Sequence, residues 1–391
     1  MEKLGFNTKA IHVGELIDER FGNVVTPIFQ NATFLHPNES EEAYIDPTRN
    51  KPYLYTRLGN PTLTSLESKI ASLENAIYTL SFSSGMSAIS TSILSIVKKN
   101  DSVLAINQLY GQTYEFFLKL KNEFSIDVDF VSVDDINSLN ISKKNYKLIY
   151  VESITNPTLQ VVDLDVISKY AIEIKSNLIV DATFATPYNQ RPLEFGARIS
   201  VHSGTKYISG HSDVIIGLSS TNSKELYMKL VENRNNFGSV PDPFCAYLTL
   251  RGTKTLGLRM ERHQENALKL AKFLKDNRKV ANVFYPGLED NKYNSIARKV
   301  LNGFGGMLSF ELKGGYEAVK KFLKNLKICI AAPSLGGVET LVTLPIETSH
   351  RQLSKEEMKK FGISEGLVRV SIGIEDYEDI EKDFSQAMDK I

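Results

Sequence analysis

Val201-His202-Ser203-Gly204-Thr205-Lys206-Tyr207 is the stretch on which the reading of this chain turns. It follows Ile179-Val180-Asp181-Ala182-Thr183-Phe184-Ala185-Thr186-Pro187-Tyr188, an apolar run that reads as a buried strand leading out into a loop. A lysine just beyond such a run, set among glycine and hydroxyl side chains, is held out of bulk water. Desolvation disfavours its ammonium form, lowers its pKa and makes the amine a usable nucleophile. Most lysines in any chain are plain surface residues. The aspartate at a strand end upstream and the small, phosphate-compatible groups just before Lys206 set this one apart. Those parts suit a lysine that forms a Schiff base with pyridoxal phosphate, while an acid partners the pyridinium nitrogen.

Asp181-Ala182-Thr183-Phe184-Ala185-Thr186-Pro187-Tyr188-Asn189-Gln190-Arg191-Pro192-Leu193-Glu194, continued by His202 to Tyr207, closely resembles the signature of the pyridoxal-phosphate-dependent trans-sulfuration family of Cys/Met metabolism. That family includes cystathionine γ-synthase, cystathionine γ-lyase, methionine γ-lyase and O-acetylhomoserine sulfhydrylase. The resemblance runs along nearly the whole chain. It implies an α/β fold of the aspartate-aminotransferase-like type (fold type I): a mostly parallel sheet with flanking helices, plus a smaller α+β C-terminal domain. On this reading residues 1–60 form an arm reaching the neighbouring subunit. Residues 61–250 form the cofactor-binding domain and 251–391 the C-terminal domain.

Composition agrees with a packed soluble enzyme. The chain has 391 residues, 42% of them hydrophobic and 24% charged, which excludes a disordered protein. Lys+Arg and Asp+Glu are both 46, so no basic surplus points to nucleic acid. Cys245 and Cys329 are too few for a disulfide framework and fit a reducing compartment. The start, Met1-Glu2-Lys3-Leu4-Gly5-Phe6-Asn7, carries no apolar signal segment, and no run reaches the ~20 residues of a membrane span. A cytoplasmic location is the expectation. The six histidines, His12, His36, His202, His211, His263 and His350, form no metal-ligand spacing, and no metal is expected.

Taken in order, residues 1 to about 60 look irregular and proline-rich, ending in Leu54-Tyr55-Thr56-Arg57-Leu58-Gly59. The resemblance implies that Tyr55 and Arg57 cross to a second subunit and bind its cofactor phosphate, which requires at least a dimer, with a tetramer expected. Leu63, Leu66, Ile70 and Leu73 fall at helical spacing. Tyr78 to Phe82 reads as a strand, and Ser83-Ser84-Gly85-Met86 opens a helix; such a junction is a natural phosphate seat. The resemblance implies backbone contacts there from Gly85 and Met86, with hydroxyls from Ser203 and Thr205. Strand-like runs recur at residues 102–106, 128–131, 148–151, 178–180 and 198–201, separated by helical stretches such as 164–174. That alternation predicts a mostly parallel sheet with ligands beyond its strands' carboxyl ends. Tyr110, Asn156, Asp181 and Lys206 all follow those ends. The resemblance implies that Tyr110 covers the pyridine ring and moves a proton at the substrate's γ-position. It also implies that Asn156 bonds the phenolic oxygen and that Asp181 keeps the ring nitrogen protonated. From the residues alone, Asp181 could equally cap a helix.

The chain changes character around Phe244 to Leu256, read as a hinge into a long helix. Met307 to Leu312 alternates like a half-buried strand. Val368-Arg369-Val370-Ser371-Ile372 places a charge inside an apolar strand, where it requires an anion: an internal salt bridge or a ligand. The resemblance implies that Arg369 clamps the substrate's α-carboxylate, with Ser334 orienting the same end. It leaves two reactions of an amino-acid substrate open, γ-elimination to a 2-oxo acid, ammonia and a thiol, and γ-replacement by an outside thiol. A non-catalytic, cofactor-binding regulator is the third reading. Leu54, Glu115 and Pro333 stand where cystathionine-specialised members carry an acid, an arginine and a glutamate, which favours an apolar γ-substituent. Gln112 stands where methionine-specialised members carry cysteine.

Overall fold

The apolar runs pair into a seven-stranded sheet in the computed structural model, which describes residues 4–36, 45–46, 51–348, 351 and 354–391. Its strands are β1 (Tyr78–Phe82), β2 (Ser102–Ile106), β3 (Asp127–Val131), β4 (Leu148–Glu152), β5 (Asn177–Asp181), β6 (Ile199–Ser203) and β7 (Gly217–Thr221). Their order across the sheet is β1-β7-β6-β5-β4-β2-β3. β7 is antiparallel to both neighbours, and every other pair is parallel. β4 is buried along its whole length, as a sheet covered on both faces requires.

β7 is the strand that sequence reading did not find. Gly217-Leu218-Ser219-Ser220-Thr221 lacks the apolar pattern of a buried strand, yet all of it is buried. Its hydroxyls find partners inside the core. Ser219 Oγ lies 2.9 Å from Ser92 Oγ and Ser220 Oγ lies 2.7 Å from Thr79 Oγ1. Paired hydroxyls remove the desolvation penalty that otherwise keeps serine out of cores.

A second sheet follows, with strands β8 (Val280–Phe284), β9 (Met307–Leu312), β10 (Ile330–Ala331), β11 (Leu341–Thr343) and β12 (Leu367–Ser371) in the order β8-β9-β12-β11-β10. The segment read as a hinge is itself helical, Pro243–Thr253, and leads into the long helix Leu256–Lys275. That helix buries Met260, His263, Ala267, Leu270 and Leu274, one stripe at helical spacing. Buried apolar residues of both sheets belong to one cluster, so the sheets share a core.

The first 60 residues are not wholly irregular. Phe6–His12 is a helix, and Lys69, fully buried on the helix Pro61–Leu73, donates to the Ala10 and Ile11 carbonyls at 2.7 and 3.1 Å. An ammonium bonding helix-end carbonyls is a C-terminal cap made from outside the helix. Glu15 pairs with the same lysine at 3.3 Å. The start of the segment is thereby anchored to its own chain.

The turn entering the helix Gly85–Leu94 rests on β7. A Cβ on Gly217 would lie 2.0 Å from the Ser84 carbonyl oxygen and 2.6 Å from its carbon. Gly217→Ala must push backbone apart, at an expected cost of about 1–3 kcal/mol. Thermal or denaturant unfolding reads it as a lowered midpoint, and an unchanged midpoint would disprove the close approach.

Candidate active site

Glu152 and Asp181 end β4 and β5 and are register partners, so two acids emerge side by side at one edge of the sheet. Ser203 ends β6 at the same edge. The loops beyond these ends enclose a cavity of about 640 Å³. The second sheet closes it with Arg369 from β12 and Ser334 from the loop before β11. Gly85, Met86, Tyr110, Asn156, Asp181, Ser203, Thr205, Lys206, Ser334 and Arg369 all line this cavity. Tyr55 and Arg57 do not. They line a separate cleft with Gln30, Asn31 and residues 240–243. There the Arg57 guanidinium lies 5.6 Å from the centre of the Tyr55 ring and donates to the Asn235 carbonyl at 3.2 Å.

Lys206 is the amine of the site. Its Nζ donates to Ser334 Oγ at 2.8 Å, and among the described residues no carboxylate pairs with it. Burial, and after it the charge of Arg369, pull its pKa down to about 8. The Ser334 hydroxyl bonds the lysine, and its residue lines the cavity beside Arg369. Ser334 itself sits at a φ of 84°, left-handed for a residue with a Cβ. The chain then packs against the lysine's backbone: a Cβ on Gly336 would lie 2.5 Å from Tyr207 N and 2.9 Å from Lys206 C.

Arg369 is 3% exposed, and the internal salt bridge that its sequence context allowed is absent among the described residues. Its Nη1 donates to Asn156 Oδ1 at 3.0 Å and its Nη2 to the Ser334 carbonyl at 3.1 Å, while Nε is buried without a partner. Neutral acceptors do not compensate a buried guanidinium. Desolvation pulls its pKa down to about 10. A carboxylate entering the cavity is the anion this fork is shaped to take.

The two acids present the opposite imbalance. Asp181 Oδ1 accepts from Thr183 N at 2.9 Å, and Tyr150 Oη lies 3.5 Å from its Oδ2; Asp181 caps no helix. Burial raises the Asp181 pKa. Burial, and then the charge of Asp181, raise that of Glu152 well above the carboxylate range. Adjacent buried carboxyls oppose each other's ionisation, and a cation beside them relieves the conflict. Among the described residues no Lys or Arg pairs with either. A protonated ring nitrogen has the charge that the pair lacks.

An anion seat completes the cavity. The helix Gly85–Leu94 begins there, with Ser84 Oγ accepting from Ser87 N at 3.0 Å and no acid in the first turn. Its leading N–H groups and dipole favour a phosphate. A Cβ on Gly85 would lie 2.8 Å from both Cβ and Oγ of Ser203, so glycine lets the helix start touch the Ser203 loop. Thr205 Oγ1 accepts from Ile216 N at 2.9 Å and lies 3.2 Å from its carbonyl oxygen, fixing the loop that carries the lysine. Amine, acid pair, anion seat and guanidinium together fit a phosphorylated pyridine aldehyde and an amino acid.

Other cavity residues had no role in the sequence reading: Glu152, Thr183, Glu347, Thr348 and Arg351. Glu152 follows a strand just as Asp181 does, a signal available without coordinates. Glu347, Thr348 and Arg351 reach the cavity from the chain after β11, which no local pattern marks.

A site of this kind at the carboxyl edge of such a sheet is that of a pyridoxal-phosphate-dependent enzyme of fold type I. The profile described as "Cys/Met metabolism PLP-dependent enzyme" matches residues 7–389, and the chain belongs to that family. It is 44% identical to an L-methionine gamma-lyase of Fusobacterium nucleatum subsp. polymorphum over 100% of this chain and 99% of that protein. It is 41% identical to a cystathionine gamma-lyase of Dictyostelium discoideum, over 98% and 97%. Among solved structures, cystathionine gamma-lyase from Lactobacillus plantarum complexed with L-serine superposes with a TM-score of 0.93 at 34% identity, covering 99% of each chain.

The buried amine carries a stability cost. Its folded pKa, about 8, lies below the ordinary 10.5, so the folded state disfavours the charged form. The penalty is fully present below pH 8 and vanishes as pH rises to 10.5. Lys206→Met should therefore raise the melting temperature of the cofactor-free protein at neutral pH, with the gain shrinking from pH 8 upward. A gain independent of pH in thermal melts would contradict the assignment.

Proposed function

We propose that this protein is a carbon–sulfur lyase acting on methionine-, homocysteine- or cystathionine-type substrates by γ-elimination, releasing a 2-oxo acid, ammonia and a thiol. The observation that carries the reading is the Lys206 amine, part-buried and without a carboxylate partner among the described residues, between the uncompensated guanidinium of Arg369 and the acids Asp181 and Glu152. The names of the most similar relatives support it. When bound, pyridoxal phosphate supplies an electron sink that acidifies the substrate's α- and β-protons. Lys206, Asp181 and Asn156 would hold its aldehyde, ring nitrogen and phenolic oxygen, and the start of the helix Gly85–Leu94 with Ser203 and Thr205 its phosphate.

The chain's own residues do the rest. Arg369 grips the α-carboxylate and so fixes which bond at Cα stands beside Lys206. Lys206 takes the proton from Cα and carries protons between carbons, a task suited to an amine whose pKa lies near working pH. Asp181 holds the proton on the ring nitrogen. The Tyr110 hydroxyl gives a proton to the departing sulfur. Pro333 and Leu335 make one wall apolar, which suits a methyl or alkyl γ-substituent. Gln112 and Glu115 bond each other at 3.1 Å outside the cavity, so neither reaches a substrate held within one chain.

γ-Replacement on an O-acylhomoserine is the second reading. It is favoured by the likeness to cystathionine gamma synthase from Xanthomonas oryzae pv. oryzae in complex with aminoacrylate and cysteine, with a TM-score of 0.91 at 35% identity and coverage of 99% and 98%.

The reading includes a homodimer with shared sites, pairing further into a tetramer, in the cytoplasm. Free Cys245 and Cys329 fit that compartment. Tyr55 and Arg57 stand clear of their own chain's cavity, as residues serving another copy would. Phe21, Val24 and Leu35 are 80%, 84% and 74% exposed, an apolar load that a second chain would cover.

Incubation with methionine, cystathionine and O-acetylhomoserine, each with and without a thiol, decides the reaction. A 2-oxo acid and ammonia from the first two support elimination, whereas a new thioether alone would make the chain a synthase. Sharing of sites is tested by co-assembling Lys206→Ala chains with Arg57→Ala chains, each nearly inactive alone. A mixed dimer restores one intact site, so random mixing should recover about a quarter of wild-type activity. No recovery in proven mixed dimers would place each site within a single chain.

A further inference from the structure

Glu152 takes no proton step in the reading above, yet its backbone tie makes it a constrained group in the cavity wall. It ends β4, is 6% exposed and stands in register with Asp181. Among the described residues no cation pairs with it, so the fold keeps a buried acid without electrostatic compensation. The use of such a group is read from what its oxygens hold.

What they do is hold a loop. Glu152 Oε1 accepts from the Tyr110 backbone N–H at 2.6 Å. Tyr110 immediately precedes the helix Gly111–Glu123, whose start has no side-chain cap of its own. The carboxylate of a neighbouring strand thus supplies the missing cap, at the end of the helix where negative charge is favoured. No side-chain hydrogen bond restrains the Tyr110 ring among the described residues, and the residue is 40% exposed. The place of that ring follows from its backbone, and its backbone is fixed by Glu152. Asn156 is held at Oδ1 by Arg369.

We infer that Glu152 is a positioning residue: it sets Tyr110 against the cofactor ring by tying the loop after β2 to the end of β4. The inference rests on the lyase reading for the role of Tyr110, and on the hydrogen bond alone for the tie. Function here depends on reach rather than charge, and two conservative variants separate these. Glu152→Gln keeps the reach and one acceptor oxygen but cannot ionise. Glu152→Asp keeps an ionisable carboxyl and withdraws both oxygens by one methylene.

The measurements are kcat and KM, plus the visible circular dichroism of the bound cofactor and its dissociation constant from the resting enzyme. Glu152→Gln should stay within about 3-fold of wild type in kcat. Glu152→Asp should lose about 10- to 100-fold in kcat with little change in KM, because small misplacements of a reacting group are costly. The same variant should show a weakened dichroic band. Wild-type values in both variants, or a Gln variant as impaired as the Asp variant, would overturn the inference. Should the Asp variant fail to fold, the Gln variant decides alone: more than a tenfold loss in kcat refutes positioning by reach. The dichroic band and the dissociation constant need no turnover. If the wild type converts no sulfur amino acid, the lyase reading fails while the Glu152 tie is still read from the spectrum.

Discussion

Charge separation without pairing governs this molecule. One wall of the cavity holds Lys206 and Arg369, and another holds Asp181 and Glu152; no ion pair joins the two sets among the described residues. Each set is buried, so each is unfavourable as it stands. A fold normally removes such a conflict by letting opposite charges meet. Here the strands prevent it: the acids are fixed at the ends of β4 and β5, while the cations are tied to Ser334 and Asn156 by neutral hydrogen bonds. The arrangement is resolved by a ligand with a cationic ring nitrogen at one end and by a substrate carboxylate at the other.

The architecture explains how these charges stay apart. Parallel strands deliver their carboxyl ends to one edge, so β4, β5 and β6 each contribute a functional residue there with little extra structure. β7 is the exception in direction and the support in practice. It brings Gly217 against the Ser84 turn, and the loop leading into it bonds Thr205 through Ile216. The second sheet contributes what the first cannot, a guanidinium approaching from the opposite side. Because both sheets share one apolar core, the distance between Arg369 and Asp181 is set by packing and not by a flexible loop.

Much of the site was legible from residue type and place. Lys206, Asp181, Tyr110 and Asn156 each follow an apolar run, and a strand end is where a ligand of a parallel sheet sits. Arg369 was legible as a charge inside a strand, but its lack of an anionic partner among the described residues was not, because that depends on every neighbour in space. β7 was hidden by its serines, whose hydroxyls pair only in three dimensions. Tyr55 and Arg57 were recognised by resemblance and stand outside the cavity of their own chain, so their place could not follow from local pattern. Glu152 was overlooked because an acid at a strand end is ordinary until the Tyr110 amide it holds is seen.

The same separation couples loading to stability. A protein that keeps an amine, a guanidinium and two carboxyls in one cavity without pairing them lies higher in free energy than one with those charges compensated. Any ligand that binds the folded form and not the unfolded one stabilises it by mass action. Here the gain also includes release of an electrostatic conflict built into the folded chain, so cofactor and fold should behave as one thermodynamic unit. The features that make Lys206 reactive and Arg369 selective are therefore the features that make the free protein less stable than its packing alone would allow.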